Sequence, residues 1–232
     1  MSDRPYVTVS CAMSIDGYLD TAQPHRLVMS NAADLDRVDA VRASSDAIMV
    51  GASTVRRDDP RLLVRDGARR ERRMAEGLGS SPTKITVTAS GLLPASSSFF
   101  TTGDCTRLVY CPASSESLVR ASLGELATVI GLGTHVTMTA LLDDLGARRG
   151  VRRLMVEGGG ILLTQFLTAG LVDELQLVVA PFFVAEEGAP RVFGPGLYPW
   201  TATNRADLVS TRQIGDVVLL RYALSERFED RR

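Results

Sequence analysis

The chain has 232 residues, 45% hydrophobic and 23% charged, an ordinary globular composition with enough length for one substantial core. A formal net charge of −1 gives no general attraction to nucleic acid or anionic membrane, so the expected ligand is a small molecule, and any anion must be met by local arginines. No apolar run reaches the roughly 20 residues of a membrane span, and Met1-Ser2-Asp3-Arg4-Pro5 lacks the basic-then-apolar order of a signal peptide, so a cytoplasmic location is expected.

Residues 6–13 are β-branched and alternating, which predicts a first strand running into the turn Ser14-Ile15-Asp16-Gly17. Asp16 is expected either to bond its own turn backbone or to open a ligand-facing loop. The spacing of Leu35, Val38, Ala40 and Val41 predicts a helix over 32–43 with Ser30 or Asn31 as N-cap, and places Arg42 near its C-terminal end, where a cation suits the helix dipole. Asp46-Ala47-Ile48-Met49-Val50-Gly51 reads as a buried parallel strand that passes through glycine into a short helix over 52–57. Asp59 must leave that helix because Pro60 follows it. Five arginines and two glutamates from Arg65 to Glu76, both ends counted, carry little apolar surface, so that stretch is expected to be a solvated helix or mobile loop.

Further strands are predicted at 84–88, 107–111 and 128–131, with a Ser/Thr/Gly-rich loop over 89–104 and a helix over 139–147. Leu154-Met155-Val156-Glu157 then reads as a buried strand, followed by Gly158-Gly159-Gly160 and an apolar helix from Ile161 to Leu167. Backbone N–H groups at such a corner can approach an anion closely, and the helix N-terminus behind them adds about half a positive charge. Glu157 would project into the crevice where open α/β sheets bind ligands. The plainer alternative is a tight turn with an exposed acid. An apolar strand over 175–180 and a hairpin turning at Gly215-Asp216 complete the chain. The alternation implies an α/β fold with a mostly parallel central sheet, helices on both faces and a C-terminal antiparallel hairpin. No repeat, long linker or internal boundary stands out, so 1–232 reads as a single domain.

Residue types exclude several chemistries. Lys84 is the one lysine, which leaves little scope for Schiff-base catalysis. His25 and His135 have no acidic or cysteine partners at ligand spacing, so no metal is expected, and Cys11, Cys105 and Cys111 read as reduced, buried thiols.

Three ordered groups of residues carry a family likeness. They are Ala12-Met13-Ser14-Ile15-Asp16-Gly17, the run Val50-Gly51-Ala52-Ser53-Thr54-Val55-Arg56-Arg57-Asp58-Asp59-Pro60-Arg61-Leu62, and Val156-Glu157-Gly158-Gly159-Gly160 with Leu171-Val172-Asp173-Glu174-Leu175. Together they resemble the reductase domain of riboflavin biosynthesis in its stand-alone form. The resemblance implies a three-layer α/β/α dihydrofolate-reductase-like fold, a homodimer, and NADPH-dependent reduction of a pyrimidine ribosylamine phosphate. The apolar segment Pro181-Phe182-Phe183-Val184 suits such a dimer. Carried over residue by residue, cofactor contacts fall on Ala12, Val28, Thr54, Asp58, Ser90 and the corner Gly158, Gly159, Gly160 and Ile161; substrate contacts fall on Arg42, Leu62, Arg65 and Glu157. Catalysis is expected to come from orientation, with water or Glu157 assisting proton movement at the reacting centre. The sequence departs from the family at Val28, where many members have tryptophan, and at Arg26, where many have a small polar residue. Two other readings stay open: a reductase of a folate or other pteridine on the same fold, and a nucleotide-binding module without turnover.

Overall fold

The structure, a computed structural model, describes residues 4–23 and 27–230; His25 and Arg26 lie outside the described residues. The chain opens with β1 (Tyr6–Ser14), largely buried as its β-branched run predicts, and continues into α1 (Ala32–Ala43). Of the two candidate caps for α1, Asn31 is the one used, its Oδ1 accepting the Asp34 amide at 2.9 Å. Next come β2 (Ala47–Gly51), α2 (Ala52–Asp58), α3 (Gly67–Ala75), β3 (Thr83–Val87), α4 (Ser98–Thr101) and β4 (Arg107–Cys111). They are followed by α5 (Glu116–Leu123), β5 (Thr128–Gly131), α6 (Met138–Asp143), β6 (Arg153–Gly158) and α7 (Gly160–Thr168). The chain closes with β7 (Glu174–Ala180), β8 (Asp207–Ile214) and β9 (Val217–Ala223).

The nine strands form a sheet in the order β5-β4-β3-β2-β6-β1-β7-β9-β8, with parallel pairing from β2 through β5 and between β1 and β7, and an antiparallel C-terminal hairpin. The chain packs as two compact units: Asp39–Met155 forms the first, and Tyr6–Val38 with Val156–Arg232 the second.

In the first unit Ile48, Met49, Ile85, Tyr110, Phe99, Phe100 and Leu141 are almost wholly removed from water, each contributing about 1.5–3 kcal/mol of burial. Lys84, in the middle of this apolar set, is fully buried because α4 ends above it. Its Nζ donates to Phe99 O at 3.0 Å and Thr102 O at 2.7 Å, carbonyls at the end of a helix that would otherwise lack partners. Two short helices were not expected. α4 lies within the predicted loop over 89–104, and α5 within a stretch assigned to no element. The stretch after Arg65 is helical, but it is not simply solvated: Arg73 is 3% exposed, and its guanidinium donates to Gly79 O, Ala43 O and Ser45 O at 2.9, 2.8 and 2.7 Å. A cluster of carbonyl acceptors after α1 draws one arginine of a charged run into the interior.

In the second unit Asp173 is fully buried and accepts the Val7 amide at 2.9 Å and Ser225 Oγ at 2.6 Å. Glu174 takes Arg221 Nε and Gln176 Nε2, both at 2.9 Å. The Leu171-Val172-Asp173-Glu174-Leu175 stretch therefore ties β1, β7 and β9 together. Asn31 works at both ends: besides capping α1, its Nδ2 donates to Ile214 O at 2.6 Å and to Asp216 Oδ1 at 2.7 Å, fixing the hairpin turn. Gly215 in that turn has φ +62, the left-handed region glycine enters at no steric cost.

Candidate functional site

The second unit holds the main glycine corner. Glu157 lies half-buried near the end of β6; Gly158 follows with φ +134, the Gly158–Gly159 peptide is cis, and Gly159 is the N-cap of α7. No side chain caps that helix, so its first-turn amides are of the kind that can receive an anion. A Cβ on Gly158 would meet nothing within 4 Å, whereas one on Gly160 would lie 2.7 Å from Arg191 O and 3.2 Å from Val192 O. The corner is thus open above Gly158 and tightly strapped at Gly160. Ile161, the next residue, is 75% exposed, and Val28 is 67% exposed, each an apolar surface of the size a flat ring can cover. Ala12 sits within β1 opposite Val178 and packs against the cluster of Val178, Ile214, Val217 and Leu219.

The strap is held by the turn after β1. Val192 N donates to Gly17 O at 3.1 Å, and the Arg191 guanidinium stacks on the Tyr18 ring with its carbon 4.6 Å from the centroid. Asp16 does more than close its own turn. Its carboxylate accepts Ser14 Oγ at 2.5 Å and the amides of Val184 at 3.1 Å and Ala185 at 2.8 Å, fixing a segment far along the chain. Desolvation works against its ionisation, but these hydrogen bonds prevail and hold the carboxyl below the usual carboxylate range. Ala185 adopts φ +48 there, a conformation these amide bonds impose on a non-glycine residue.

The first unit carries the other corner. β2 passes through Gly51 directly into α2, again with no side-chain cap. Thr54 and Asp58 lie four residues apart on α2, so they share one helix face, and both are half-buried. Beyond α2 the backbone turns sharply: Asp59 has φ +43 and Leu62 φ +49, and Leu62 is only 3% exposed. Asp59 is held there by Ser97 Oγ at 2.7 Å and by Ser98, through its amide at 2.6 Å and its Oγ at 2.8 Å; the same contacts keep its carboxyl below the usual range. Ser90, after β3, is exposed, and its Oγ accepts the Leu92 amide at 3.4 Å.

Arg42 and Arg65 are brought together along α1. Arg42 Nη1 donates to Leu63 O at 3.4 Å, while Asp39, one turn earlier, accepts the Arg65 amide at 2.6 Å, the Asp66 amide at 3.2 Å and Arg69 Nη1 at 3.0 Å. Arg65 Nε is 3.6 Å from Asp39 Oδ1, and its side chain stays 54% exposed. Burial raises the Asp39 pKa, but the Arg65 amide, Arg69, the Asp66 amide and the Arg65 charge together lower it below the usual range. Two guanidinium groups near one backbone strip can grip a phosphate with charge-assisted bonds. Sequence reasoning missed Asp39, and it named Asp16 without the distant amides of Val184 and Ala185 that its carboxylate holds. Among the described residues no cluster of three or more His, Cys, Asp or Glu is arranged to hold a metal.

Each unit thus carries a strand that passes through glycine into a helix with no side-chain cap; the first also holds Arg42 of α1 and Arg65 by their contacts with Leu63 and Asp39, and the second has Glu157 beside its corner. A model of the RibD C-terminal domain matches residues 5–220, and the chain belongs to that family. It is 38% identical over 190 residues to a protein of Archaeoglobus fulgidus named 2,5-diamino-6-ribosylamino-4(3H)-pyrimidinone 5′-phosphate reductase, covering 82% of this chain and 86% of that one. A Methanothermobacter thermautotrophicus protein of the same name is 34% identical over 224 residues, covering 95% and 99%. Among solved structures, Acinetobacter baumannii RibD superposes with a TM-score of 0.78 at 25% identity; the match covers 96% of this chain and 58% of the length of that RibD. The fold class expected from the sequence, dihydrofolate-reductase-like with a C-terminal antiparallel hairpin, is the one observed.

Proposed function

We propose that the protein is an NADPH-dependent reductase of riboflavin biosynthesis, converting 5-amino-6-(5-phosphoribosylamino)uracil or the related diaminopyrimidinone to its ribitylamino product. The observation that carries this reading is the 38% identity over 82% of the chain to the A. fulgidus reductase, and the pairing of Arg42 and Arg65 along α1 supports it. Each corner taken by itself suits an anionic group of a phosphorylated dinucleotide: in the second unit there is open space over Gly158 and no side-chain cap on α7, and in the first no side-chain cap on α2.

In this reading Arg65, aided by Arg42 and the backbone beside Leu62, holds the 5-phosphate of the substrate. Glu157 orients the end of the ligand nearer the reacting carbon and exchanges a proton with water. Ala12, Val28, Thr54, Asp58, Ser90 and the corner Gly158, Gly159, Gly160 and Ile161 position the cofactor. NADPH, when bound, supplies the hydride that converts the ring-opened ribosylamine to a ribityl chain. Catalysis then comes mainly from orientation, worth several kcal/mol when reacting atoms are held close. We place this activity in a cytoplasmic homodimer; no helix among the described residues is long and apolar enough to cross a membrane.

The deciding experiment is a steady-state assay of NADPH oxidation with the pyrimidine ribosylamine phosphate, run beside dihydrofolate. Turnover of the first alone supports the proposal. Turnover of dihydrofolate alone would move the assignment to a pteridine reductase, and turnover of neither, with NADPH still bound, to a binding module.

A further inference from the structure

Arg56 spans α2, which carries Thr54 and Asp58, and the turn after β3, which carries Ser90. From α2 its Nη1 donates to Leu92 O at 2.8 Å and its Nη2 to Ser53 Oγ at 3.2 Å. The guanidinium is therefore fixed between the first turn of α2 and the turn that follows β3. That turn is tightly made: Thr88 Oγ1 accepts the Gly91 amide at 3.0 Å, and Gly91 has φ +76 with Val119 Cγ2 only 2.9 Å from where a Cβ would stand. Its five residues, Thr88-Ala89-Ser90-Gly91-Leu92, include no carboxylate. Ser90 accepts an amide and so keeps its hydroxyl proton to donate. Leu92, 67% exposed, adds an apolar surface beside them.

One guanidinium and one hydroxyl beside a turn without carboxylates suit a phosphomonoester better than a sugar hydroxyl. A ribose 2′-hydroxyl is recognised by an acid placed after the second strand of a nucleotide-binding unit, whereas a 2′-phosphate, carrying about −1.5 to −2 charges, is met by an arginine and neutral donors. Both oxygens that now hold Arg56 are neutral, so an incoming phosphate would not have to displace a carboxylate from it.

We propose that Arg56 reads the 2′-phosphate of the nicotinamide cofactor and so sets the preference for NADPH over NADH. This inference rests on the NADPH reading above, and binding measurements separate the two. Calorimetric titrations with NADPH, NADH and 2′,5′-ADP would compare the wild type with Arg56→Ala, Arg56→Lys and Arg57→Ala. The expected result is that Arg56→Ala weakens NADPH and 2′,5′-ADP about ten- to a hundredfold and leaves NADH within about twofold. Arg56→Lys should recover part of the loss, since lysine keeps the charge without the planar fork, and Arg57→Ala should change nothing. A wild-type preference for NADPH that survives Arg56→Ala overturns this inference while leaving the cofactor reading intact. Equal weakening of NADPH and NADH also overturns it, because the arginine would then act on the shared part of the dinucleotide. A wild type without NADPH preference overturns both.

Discussion

The carboxylate of Asp39 accepts the backbone amide of Arg65 at 2.6 Å across 26 residues of sequence, so a buried acid on a helix decides where an exposed arginine stands. Its second oxygen takes the Asp66 amide at the start of α3. Two amides and Arg69 on one carboxylate leave the Arg65 backbone little freedom, which is what a phosphate grip needs from its support.

Arg65→Ala is expected to lower kcat/KM for the phosphorylated substrate about ten- to a hundredfold, the loss of one hydrogen bond to a charged group, with NADPH affinity nearly unchanged. Asp39→Ala should raise KM in the same direction and also cost about 1–3 kcal/mol of stability, because two amides lose their acceptor. Asp39→Asn, which keeps one carbonyl oxygen, should fall between. Steady-state kinetics with urea melts on the same variants check this. An Arg65→Ala enzyme with wild-type kcat/KM, or one that loses NADPH binding, removes the phosphate role.

Helix propensity alone favours alanine over glycine, yet Gly160→Ala is expected to destabilise. Its methyl carbon would stand 2.7 Å from the backbone oxygen of Arg191, and backbone cannot swing aside as a side chain can. The expected cost is about 1–3 kcal/mol, together with weaker NADPH binding as the strap shifts from α7. Denaturant melts and fluorescence titration would show it, and a stabilised variant with unchanged affinity would contradict the tight packing assigned to this corner.

Alkaline pH should expose two buried groups of opposite sign. Burial lowers Lys84 from its ordinary 10.5 to about 8. Between those values the unfolded chain holds a proton the folded chain lacks, so stability rises with pH. Burial raises Cys11 from 9.0 to about 12, with the Arg37 charge opposing it. There the folded chain holds the extra proton, so stability falls. From pH 9 to 10.5 the two nearly cancel. Burial also raises Cys105, Cys111 and Tyr110, so what Lys84→Met should show is a fall in stability steeper than the wild type's by about 1.4 kcal/mol per pH unit, in urea midpoints measured under reducing conditions. A profile no steeper than the wild type's in that variant would contradict the assignment.

Phe183 is 66% exposed beside the amides held by Asp16, and Leu197 is 93% exposed. A homodimer would cover apolar surface of this kind. Light scattering at micromolar concentration is expected to give twice the 25.0 kDa chain mass, and a monomer mass would reject the dimer.

Elements with strong periodicity were legible in the sequence. The strands Arg107–Cys111, Thr128–Gly131 and Val217–Ala223 fall where apolar spacing places them, and the helix over Ala32–Ala43 has the expected span, but its buried residues are Asp34 and Asp39 while Leu35 is exposed. α4 has four residues and begins in a Ser-rich stretch, too short for a period to show. α5 buries only Val119 and Leu123, a single i, i+4 pair. The corners and the arginines of the candidate site could be read because glycine runs and charge are local features. What supports them could not: Asp39 meets its amides 26 residues on, Asp59 reaches Ser97 across 38, and Asp16 reaches Val184 across 168. Arg73 shows the same limit from the other side, since a run of charges in sequence says nothing of carbonyl groups waiting in the fold.

Lys84 is the chain's single lysine, and its amine is sealed between β3 and the end of α4. An amine-reactive reagent therefore finds no side-chain target while that region stays closed. Modification of Lys84 would report how often α4 lifts from the sheet, and its rate against reagent concentration would read the free energy of that local opening without any added probe.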